Sequence, residues 1–585
     1  MMSFNGARAH KFAESPVLKL RFPAWRSRMM ALLILSCFAV LIGRAFYLQV
    51  LNNDFLQEKG ESRYLRDLEI SASRGRIADR NGDVLAISTP MKSVWAMPTD
   101  ARLTPEQSRQ LSGLLEMDGK ELSRKLASDK SFVYLRRQLP PDVGERIAAL
   151  KLPGIGQDKE YRRYYPSGEM TAHMVGFTGV DDKGLEGVEL AFQGQLLGHA
   201  GSRSVIKDRR GQIVEDVGSI KPPQDGKDIR LALDSKIQYL AYSQLKQAVT
   251  DFKAKAGGVV VVDVKTGEIL ALANWPTYNP NNREHLNGAQ LRNRALTDTY
   301  EPGSVMKPFS VALALENGMV RPDTIIKCSP GRLTIGSATI SDAHPHGDLS
   351  VVQVIQKSSN VGTAKIASLL TPQQMWDMFD AVGFGQISQL GFPGEVSGRV
   401  RPWKSWRPIE QATMSYGHGI SVSLVQLARA YSVFAREGDM VPLTLTKVDS
   451  IPLGTKQVFS QQTAHEVRNM LEMATQVGGT APKAQIPGYR VAGKTGTAYK
   501  LESGQYVKKY VASFIGFAPA SDPRLIVAVM IDEPGSGQHY GGDVAGPVFS
   551  AVMGGALRTL GVAQDVPVQV AQSGAPKAAA AKEKL

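Results

Sequence analysis

The longest apolar stretch of the chain lies close to its start. Met29 to Gly43 is an uncharged, mostly apolar run, and Ala45 to Leu51 continues it after the single charge of Arg44. About 23 residues of this kind are enough to cross a hydrocarbon core of ~30 Å as a helix. The pattern therefore predicts a transmembrane anchor at residues 29–51, preceded by a basic N-terminal segment at residues 1–28.

The charges before this run predict its orientation. One acid, Glu14, stands among six basic residues: Arg8, Lys11, Lys19, Arg21, Arg26 and Arg28. Basic residues stay on the cytoplasmic side, so the N-terminus is expected in the cytoplasm and the chain after Leu51 outside it. A cleaved signal peptide is the alternative, but the run is long and no A-x-A-like site closes it.

Residues 52–230 alternate charged stretches with short turn signals. Asn81-Gly82 followed by Val84 to Ile87 predicts a hairpin turn that leads into a strand. Residues 105–150 carry leucines at helical spacing among many charges, so they are predicted to be helical. No catalytic set of residues is found here, and the segment is predicted to be a non-catalytic pedestal domain.

Residues 231–563 have the pattern of a larger, buried domain. Val259 to Val264, a turn at Lys265-Thr266-Gly267 and Ile269 to Ala273 predict a buried β-hairpin. A strand-like run at Leu525 to Ile531 and an amphipathic helical run at Leu424 to Phe434 add further elements. Strands mixed with helices predict an α/β (mixed α+β) fold for this domain.

Composition narrows the classes of function only slightly. The net charge is +14, but the basic residues are scattered and no nucleic-acid motif accompanies them. Anionic lipids or cell-wall polymers explain this charge equally well. Cys37 and Cys328 are the two cysteines, so neither a disulfide framework nor a cysteine metal site is indicated. Residues 564–585 are rich in Ala and Lys and lack aromatic residues, which predicts a disordered tail.

The first candidate for chemistry is a serine three residues before a lysine. Ser304 and Lys307 follow Pro302-Gly303 and precede an apolar helical stretch. Ser304 should therefore lie near a helix N-terminus, with Lys307 one turn further on the same face. There an unprotonated lysine amine can take the hydroxyl proton as the serine attacks a carbonyl.

The same spacing occurs a second time, at Ser204 and Lys207. That copy lies in alternating, strand-like sequence, where residues three apart point to opposite faces. We interpret it as structural.

Two further motifs follow Ser304 in the chain. Ser358-Ser359-Asn360 could supply a hydroxyl near Lys307 and an amide for substrate, although S-x-N alone is a common cap or turn. Lys494-Thr495-Gly496-Thr497 suits a strand edge, where the lysine and hydroxyls attract a carboxylate and Gly496 permits close approach. The earlier Lys-Thr-Gly at 265–267 is better explained as a hairpin turn.

The order S-x-x-K, S-x-N, K-T-G resembles the motifs of penicillin-binding proteins and serine β-lactamases. The resemblance is to the class B penicillin-binding proteins and covers about residues 29–560. It is carried by the three motifs and by flanking segments: Arg74 to Gly82, Tyr164 to Gly168, Asn274 to Asn281, Tyr416 to Gly419, Gly541-Gly542 and Pro547 to Phe549.

The resemblance implies a role for each motif residue. Ser304 would be the nucleophile, Lys307 the general base and Ser358 a proton relay, with Asn360 and Lys494 completing the catalytic set. Substrate would contact Thr495, Gly496, Thr497 and Tyr416, and the backbone N–H groups of Ser304 and Thr497 would form the oxyanion hole. The family uses no metal or other cofactor, so His344 and His346 are expected to be loop residues.

The layout of the chain favours one branch of the family. No glycosyltransferase-like acidic motif precedes residue 230, which argues against a bifunctional enzyme, and a β-lactamase would need neither anchor nor pedestal. The septal, division-specific type is the closer match, and the elongation-specific type is the alternative. A β-lactam sensor or division scaffold with little turnover is a third possibility.

The resemblance also implies partners and a location. The substrates would be peptidoglycan stem peptides ending in D-Ala-D-Ala, and β-lactam antibiotics would acylate the same serine. A membrane glycosyltransferase of the FtsW type and other division proteins would be partners, with no nucleic acid. The expected place is the bacterial inner membrane at the septum, in a single pass, with the catalytic domain in the periplasm.

Overall fold

A computed structural model describes residues 23–51, 65–207, 213–216, 221–451, 454–502 and 504–566. Most of the predicted basic N-terminus and of the predicted tail lie outside these residues. The chain forms two compact units: residues 1–70 with 200–222, and residues 71–199 with 223–585.

Strands and helices are mixed along the described chain, often in runs of one kind. The strands are β1 (Leu65–Ile70), β2 (Ile77–Ala78), β3 (Val84–Ala96), β4 (Val133–Leu139), β5 (Ile155–Tyr164), β6 (Gly201–Lys207), β7 (Ile213–Asp216), β8 (Ile229–Arg230), β9 (Ala256–Asp263), β10 (Ile269–Trp275), β11 (Ile325–Lys327), β12 (Arg332–Ile335), β13 (Ala338–Ser341), β14 (Asp348–Ser350), β15 (Asp439–Met440), β16 (Lys456–Gln457), β17 (Ala492–Glu502), β18 (Gln505–Ala518) and β19 (Leu525–Asp532).

One helix precedes the described strands, two follow them, and the others lie between strands. They are α1 (Ala24–Phe46), α2 (Pro105–Leu115), α3 (Gly119–Leu126), α4 (Pro141–Ala149), α5 (Ala172–Val175), α6 (Gly187–Ala191), α7 (Gln193–Leu196), α8 (Ser235–Asp251), α9 (Gly288–Leu291), α10 (Arg294–Thr297), α11 (Lys307–Glu316), α12 (Val351–Lys357), α13 (Asn360–Ala367), α14 (Pro372–Ala381), α15 (Pro408–Met414), α16 (Leu424–Ala430), α17 (Ser432–Ala435), α18 (Gln461–Thr475), α19 (Gly541–Val544) and α20 (Gly546–Thr559).

The first unit contains the apolar helix and a small sheet. Helix α1 and the π-helical turn Tyr47–Leu51 cover the run predicted to be an anchor. The helical span Ala24–Val50 contains an 18-residue window with a mean hydropathy of 2.2 and is long enough to cross a membrane. The sheet has the order β1-β6-β7. Ser204 and Lys207 lie on β6, which confirms that this copy of the spacing is in a strand.

In the second unit, the segment before residue 231 confirms the predicted hairpin and corrects the predicted helical region. Strands β2 and β3 pair antiparallel across the Asn81-Gly82 turn. Residues 105–150 are not helical throughout, because β4 interrupts them and pairs with β3. The β4 sequence, Val-Tyr-Leu-Arg-Arg-Gln-Leu, buries Leu135 and Leu139 against α2 and α4, a contact that leucine spacing does not reveal.

A buried ion network ties this segment together. The carboxylate of Glu189 accepts hydrogen bonds from Arg74 Nε at 2.6 Å and from Arg163 Nε at 2.7 Å. Arg163 also donates to the carbonyl oxygen of Gly75 at 2.7 Å. Buried charges need such partners, and the network fixes the segment that begins at Arg74 beside β5 and α6.

The larger part of the second unit is built on a five-stranded sheet with the order β10-β9-β19-β18-β17. Strand β9 is buried throughout, and its residues alternate between the two faces. Val260 and Val262 pack in the cluster that contains Met306 and Phe309, whereas Val259 and Val261 pack against α8 and α20. Helices therefore cover both faces, and the predicted α/β fold is confirmed.

The edge of this sheet and one central helix position the predicted motifs. Strand β17 has a sheet neighbour, β18, on one side only. Helix α11 buries Phe309 among Phe384, Tyr431 and Phe434 at ring-centroid separations of 4.9–5.6 Å. This packing fixes the N-terminus of α11 beside the free edge of β17.

Candidate active site

Ser304 lies on a short 3-10 turn, Gly303–Met306, that runs directly into α11. The turn is held from two sides: Gly303 N–H donates to the carbonyl oxygen of Gly417 at 3.2 Å, and Tyr431 Oη donates to that of Val305 at 2.8 Å. Gly303 has φ +62°, which favours glycine. The predicted position of Ser304 at a helix N-terminus is confirmed.

Lys307 is completely buried one turn after Ser304. Its Nζ donates to the Ser358 carbonyl oxygen at 2.5 Å and to Ser358 Oγ at 3.1 Å. Burial and the nearby charge of Lys494 hold the pKa of Lys307 well below its usual value. A neutral amine has two N–H groups, both directed at Ser358 here, and one lone pair that can accept the Ser304 proton.

Ser358 stands between two lysines in an uncommon backbone conformation. It ends α12 with φ +59° and ψ +44°, a left-handed conformation that few residues other than glycine adopt. Ser358 Oγ accepts from Lys307 Nζ and from Lys494 Nζ, the latter at 2.9 Å. With its oxygen occupied by two donors, the hydroxyl proton is free to be donated, which suits a relay to a leaving group.

The other two residues of this motif fix the turn. Ser359 caps α13 by accepting from Gly362 N–H and donates to Asp342 Oδ2, both at 2.8 Å. Asn360 Nδ2 donates to the Ser341 carbonyl oxygen at 2.9 Å, so the amide nitrogen is used within the protein. Asn360 Oδ1 is the part of this side chain that could accept from a substrate N–H.

The third motif lies on the free edge strand β17, as predicted. Burial lowers the pKa of Lys494 to about 7. Thr495 Oγ1 donates to Thr480 Oγ1 at 3.0 Å, so its proton is taken up by Thr480, a residue that no sequence motif indicates. Thr497 Oγ1 accepts from Gly541 N–H at 3.0 Å and keeps its own proton for a substrate carboxylate.

Gly496 is where β17 comes closest to the segment that carries Ser304. A Cβ atom at this position would lie 2.8 Å from the Pro302 carbonyl oxygen and 2.3 Å from Ser513 Oγ. A Cβ atom at Gly303 would lie 3.4 Å from the Thr497 carbonyl oxygen. The backbones that carry Ser304 and Thr497 are therefore neighbours, as a shared oxyanion hole requires.

Tyr416 is a buried residue next to the turn that carries Ser304. Its ring packs edge-on against His418 at 5.2 Å, and burial raises the pKa of Tyr416 to about 12. Burial and the charge of Lys307 lower the pKa of His418 to about 4, so His418 is neutral near pH 7. Direct contact between Tyr416 and substrate stays a prediction.

Residues that sequence reasoning did not select also border the site. Glu301 accepts from Gly419 N–H at 2.8 Å and from Tyr506 Oη at 3.0 Å. Asp342 holds the Ser359 turn through two hydrogen bonds. Glu301 could have been selected from the sequence, because it directly precedes Pro-Gly-Ser. Asp342 and Tyr506 have no such local signal.

A serine one helical turn before a buried lysine, beside the free edge of a sheet, is the arrangement expected of a serine acyl-transfer site. Comparison with known families agrees with this chemistry. Residues 257–554 match the model described as "Penicillin binding protein transpeptidase domain", and residues 69–231 match "Penicillin-binding Protein dimerisation domain".

Individual relatives cover most of the chain. "Probable peptidoglycan D,D-transpeptidase PenA" of Neisseria gonorrhoeae is 46% identical over 93% of this chain and 94% of its own length. "Peptidoglycan D,D-transpeptidase FtsI" of Escherichia coli is 42% identical over 93% of each. The transpeptidase domain of Burkholderia pseudomallei penicillin-binding protein 3 is 51% identical, with a TM-score of 0.54, over 58% of this chain and 98% of that one. The chain belongs to the class B penicillin-binding proteins.

Proposed function

We propose that the protein is a peptidoglycan D,D-transpeptidase of septal wall synthesis and that Ser304 is its acylated nucleophile. The observation that carries the proposal is the position of Ser358 Oγ, which accepts from Lys307 at 3.1 Å and from Lys494 at 2.9 Å. This hydroxyl joins the three motifs in one hydrogen-bonded group directly behind the turn that carries Ser304.

Acylation follows from these contacts. The neutral Lys307 amine takes the Ser304 proton as the oxygen attacks the penultimate D-alanine carbonyl of a donor stem peptide. The N–H groups of Ser304 and Thr497 stabilise the oxyanion. The terminal carboxylate binds Lys494 and the Thr497 hydroxyl. Ser358 donates its proton to the departing D-alanine nitrogen and is reprotonated by Lys307.

Transfer completes the reaction. A neutral amine of a neighbouring stem peptide attacks the carbonyl of the Ser304 ester and gives a proton to Lys307. The ester C–O bond then breaks, Lys307 returns the proton to Ser304 Oγ, and the cross-link is formed. A β-lactam presents its ring carbonyl in place of the donor and leaves a long-lived ester on Ser304. Side chains of the protein carry out every proton transfer in this series of steps.

The similarity to relatives named FtsI and PenA supports the septal role over the elongation-specific one. The span Ala24–Val50 supports a single-pass anchor in the inner membrane, with the basic N-terminus in the cytoplasm and the catalytic domain in the periplasm. Stem peptides and β-lactams are the ligands in this proposal. A membrane glycosyltransferase of the FtsW type and other division proteins are the proposed partners.

The experiment that tests this function combines labelling with turnover. We expect the full-length protein to bind a fluorescent penicillin and to cross-link purified donor and acceptor peptides, and Ser304→Ala to do neither. Ser204→Ala is the matched control, because it removes a serine with the same spacing from lysine, and it should retain both activities. Labelling without cross-linking would favour a β-lactam sensor, and rapid loss of the label would favour a β-lactamase.

The rate of acylation should depend on pH in a bell-shaped manner. Lys307 must be neutral to act as a base, so the rate rises with pH until its lowered pKa is passed. Lys494 must be charged to hold a carboxylate, so the rate falls as pH rises above about 7, where Lys494 deprotonates. The measurement is the second-order rate of penicillin acylation from pH 5 to 10. A rate still rising at pH 10 would contradict this assignment of the two lysines.

A further inference from the structure

Glu301 is a carboxylate three residues before Ser304, and both groups that hydrogen-bond to it are uncharged. Its two hydrogen-bond donors, Gly419 N–H and Tyr506 Oη, are both neutral. Among the residues that the structure describes, Glu301 has no ion-pair partner. Burial raises the pKa of the Glu301 carboxyl, as expected for a half-buried acid without a cation.

Within the described part of the chain, the charged and titratable groups nearest Glu301 supply no cation to it. His418, whose ring lies 6.0 Å from that of Tyr506, is neutral near pH 7 because burial lowers its pKa to about 4. Lys307 and Lys494 are buried and directed at Ser358. Glu301 is half-buried and its partner Tyr506 is 53% exposed, so a cationic ligand could reach the carboxylate from solvent.

The donor peptide, as placed in the proposed function, extends toward Glu301. In the proposed function, the terminal carboxylate lies at Lys494 and the reacting carbonyl lies at Thr497, so the rest of the donor runs along β17 toward its tip. Tyr506 pairs with Leu501 at that tip, four residues beyond Thr497, a distance of roughly 13 Å. Tyr506 reaches back from there to Glu301, three residues before Ser304.

The reaction itself requires a primary amine on the acceptor stem peptide. An acceptor stem supplies the amine that forms the cross-link, and donors are drawn from the same pool of stems. An amine is mostly an ammonium ion near pH 7, and a charge-assisted hydrogen bond to a carboxylate is stronger than the neutral one from a tyrosine hydroxyl.

We infer that Glu301 binds the side-chain ammonium group of a stem peptide and that the Tyr506 hydroxyl occupies this position in the free enzyme. The inference rests on the proposed transpeptidase function and adds a substrate-binding residue to it. Tyr506 is suited to being displaced, because its side chain is 53% exposed and its hydroxyl is a neutral donor. Gly419 N–H continues to hold the Glu301 carboxylate when Tyr506 leaves.

The test compares two synthetic D-Ala-D-Ala donor peptides that differ only in a free or an acetylated side-chain amine. With the full-length protein, we expect acylation by the free-amine donor to be about tenfold faster or more, as one charge-assisted hydrogen bond implies. Glu301→Gln should remove this preference by slowing only the free-amine donor. Tyr506→Phe should keep the preference or increase it, because it removes the competing hydroxyl.

A matched control and a second substrate separate the possible outcomes. Glu502 lies on the β17–β18 hairpin that also carries Tyr506, and its carboxylate is already paired with Lys509. Glu502→Gln should therefore keep the preference for the free-amine donor. Penicillin should still acylate Ser304 in Glu301→Gln, and its rate is the reference against which both donor peptides are read, so that a general loss of activity is separated from loss of the amine contact. An unchanged melting temperature shows that the variant is folded.

Two results would overturn the inference while the transpeptidase function stands. One is a wild-type enzyme that is acylated equally fast by the free-amine and the acetylated donor. The other is a Glu301→Gln variant that keeps the wild-type preference for the free-amine donor.

Discussion

Replacing Lys307 with methionine should slow acylation of Ser304 by about 10³-fold, the effect expected when a general base is removed. The Lys307 amine is buried, and its two hydrogen bonds to Ser358 leave one lone pair for the serine proton. Methionine fills a similar volume with an apolar side chain, so the fold should survive. The measurement is the rate of acylation by a fluorescent penicillin, with the melting temperature recorded alongside.

The second Ser-x-x-Lys of the chain provides the control for this variant. Lys207→Met makes the same chemical change on β6, and it should acylate at the wild-type rate. A loss of less than tenfold in Lys307→Met, at an unchanged melting temperature, would mean that another group deprotonates Ser304.

Replacing Gly496 with alanine should slow acylation by about 10²-fold, the cost of misplacing reacting groups by about 1 Å. The new Cβ would lie 2.8 Å from the Pro302 carbonyl oxygen and 2.3 Å from Ser513 Oγ. The Pro302 backbone cannot rotate away, so β17 must move from the turn that carries Ser304. Acylation kinetics measure the effect, and we expect thermal stability to fall less than activity.

A double variant separates the two close contacts of Gly496→Ala. Adding Ser513→Ala removes the contact with Oγ and leaves the one with Pro302, so it should restore only part of the rate. Gly113→Ala, at a helical position with open space around it, should acylate normally. Full recovery in the double variant would show that the Pro302 contact does not limit the approach of β17.

Much of the fold could be predicted because local patterns and packing agree. The hairpin of β9 and β10 is a continuous apolar run on each side of a turn, where Asp263 accepts from Lys265 N–H and Thr266 N–H. The run Leu424 to Phe434 forms two consecutive helices, α16 and α17, that meet at Tyr431. Strand β4 was missed because its pairing with β3, some 40 residues away in sequence, determines its conformation.

The motif residues could be selected from spacing, but their surroundings could not. The sequence pairs Ser304 with Lys307 and shows Ser358 only as part of a common cap motif. That Ser358 adopts a left-handed conformation and contacts both lysines depends on where α12 and β17 meet. Glu301 and Tyr506 are 205 positions apart, so their contact follows from tertiary structure alone.

The central claim is that Ser304 alone carries the acyl group, and peptide mapping of the penicillin-treated full-length protein tests it most directly. We predict one equivalent of added penicilloyl mass, located by fragmentation on the peptide that contains Ser304 and absent in Ser304→Ala. An adduct on Ser358, on Ser204 or on any peptide of the Ser304→Ala variant would contradict the account.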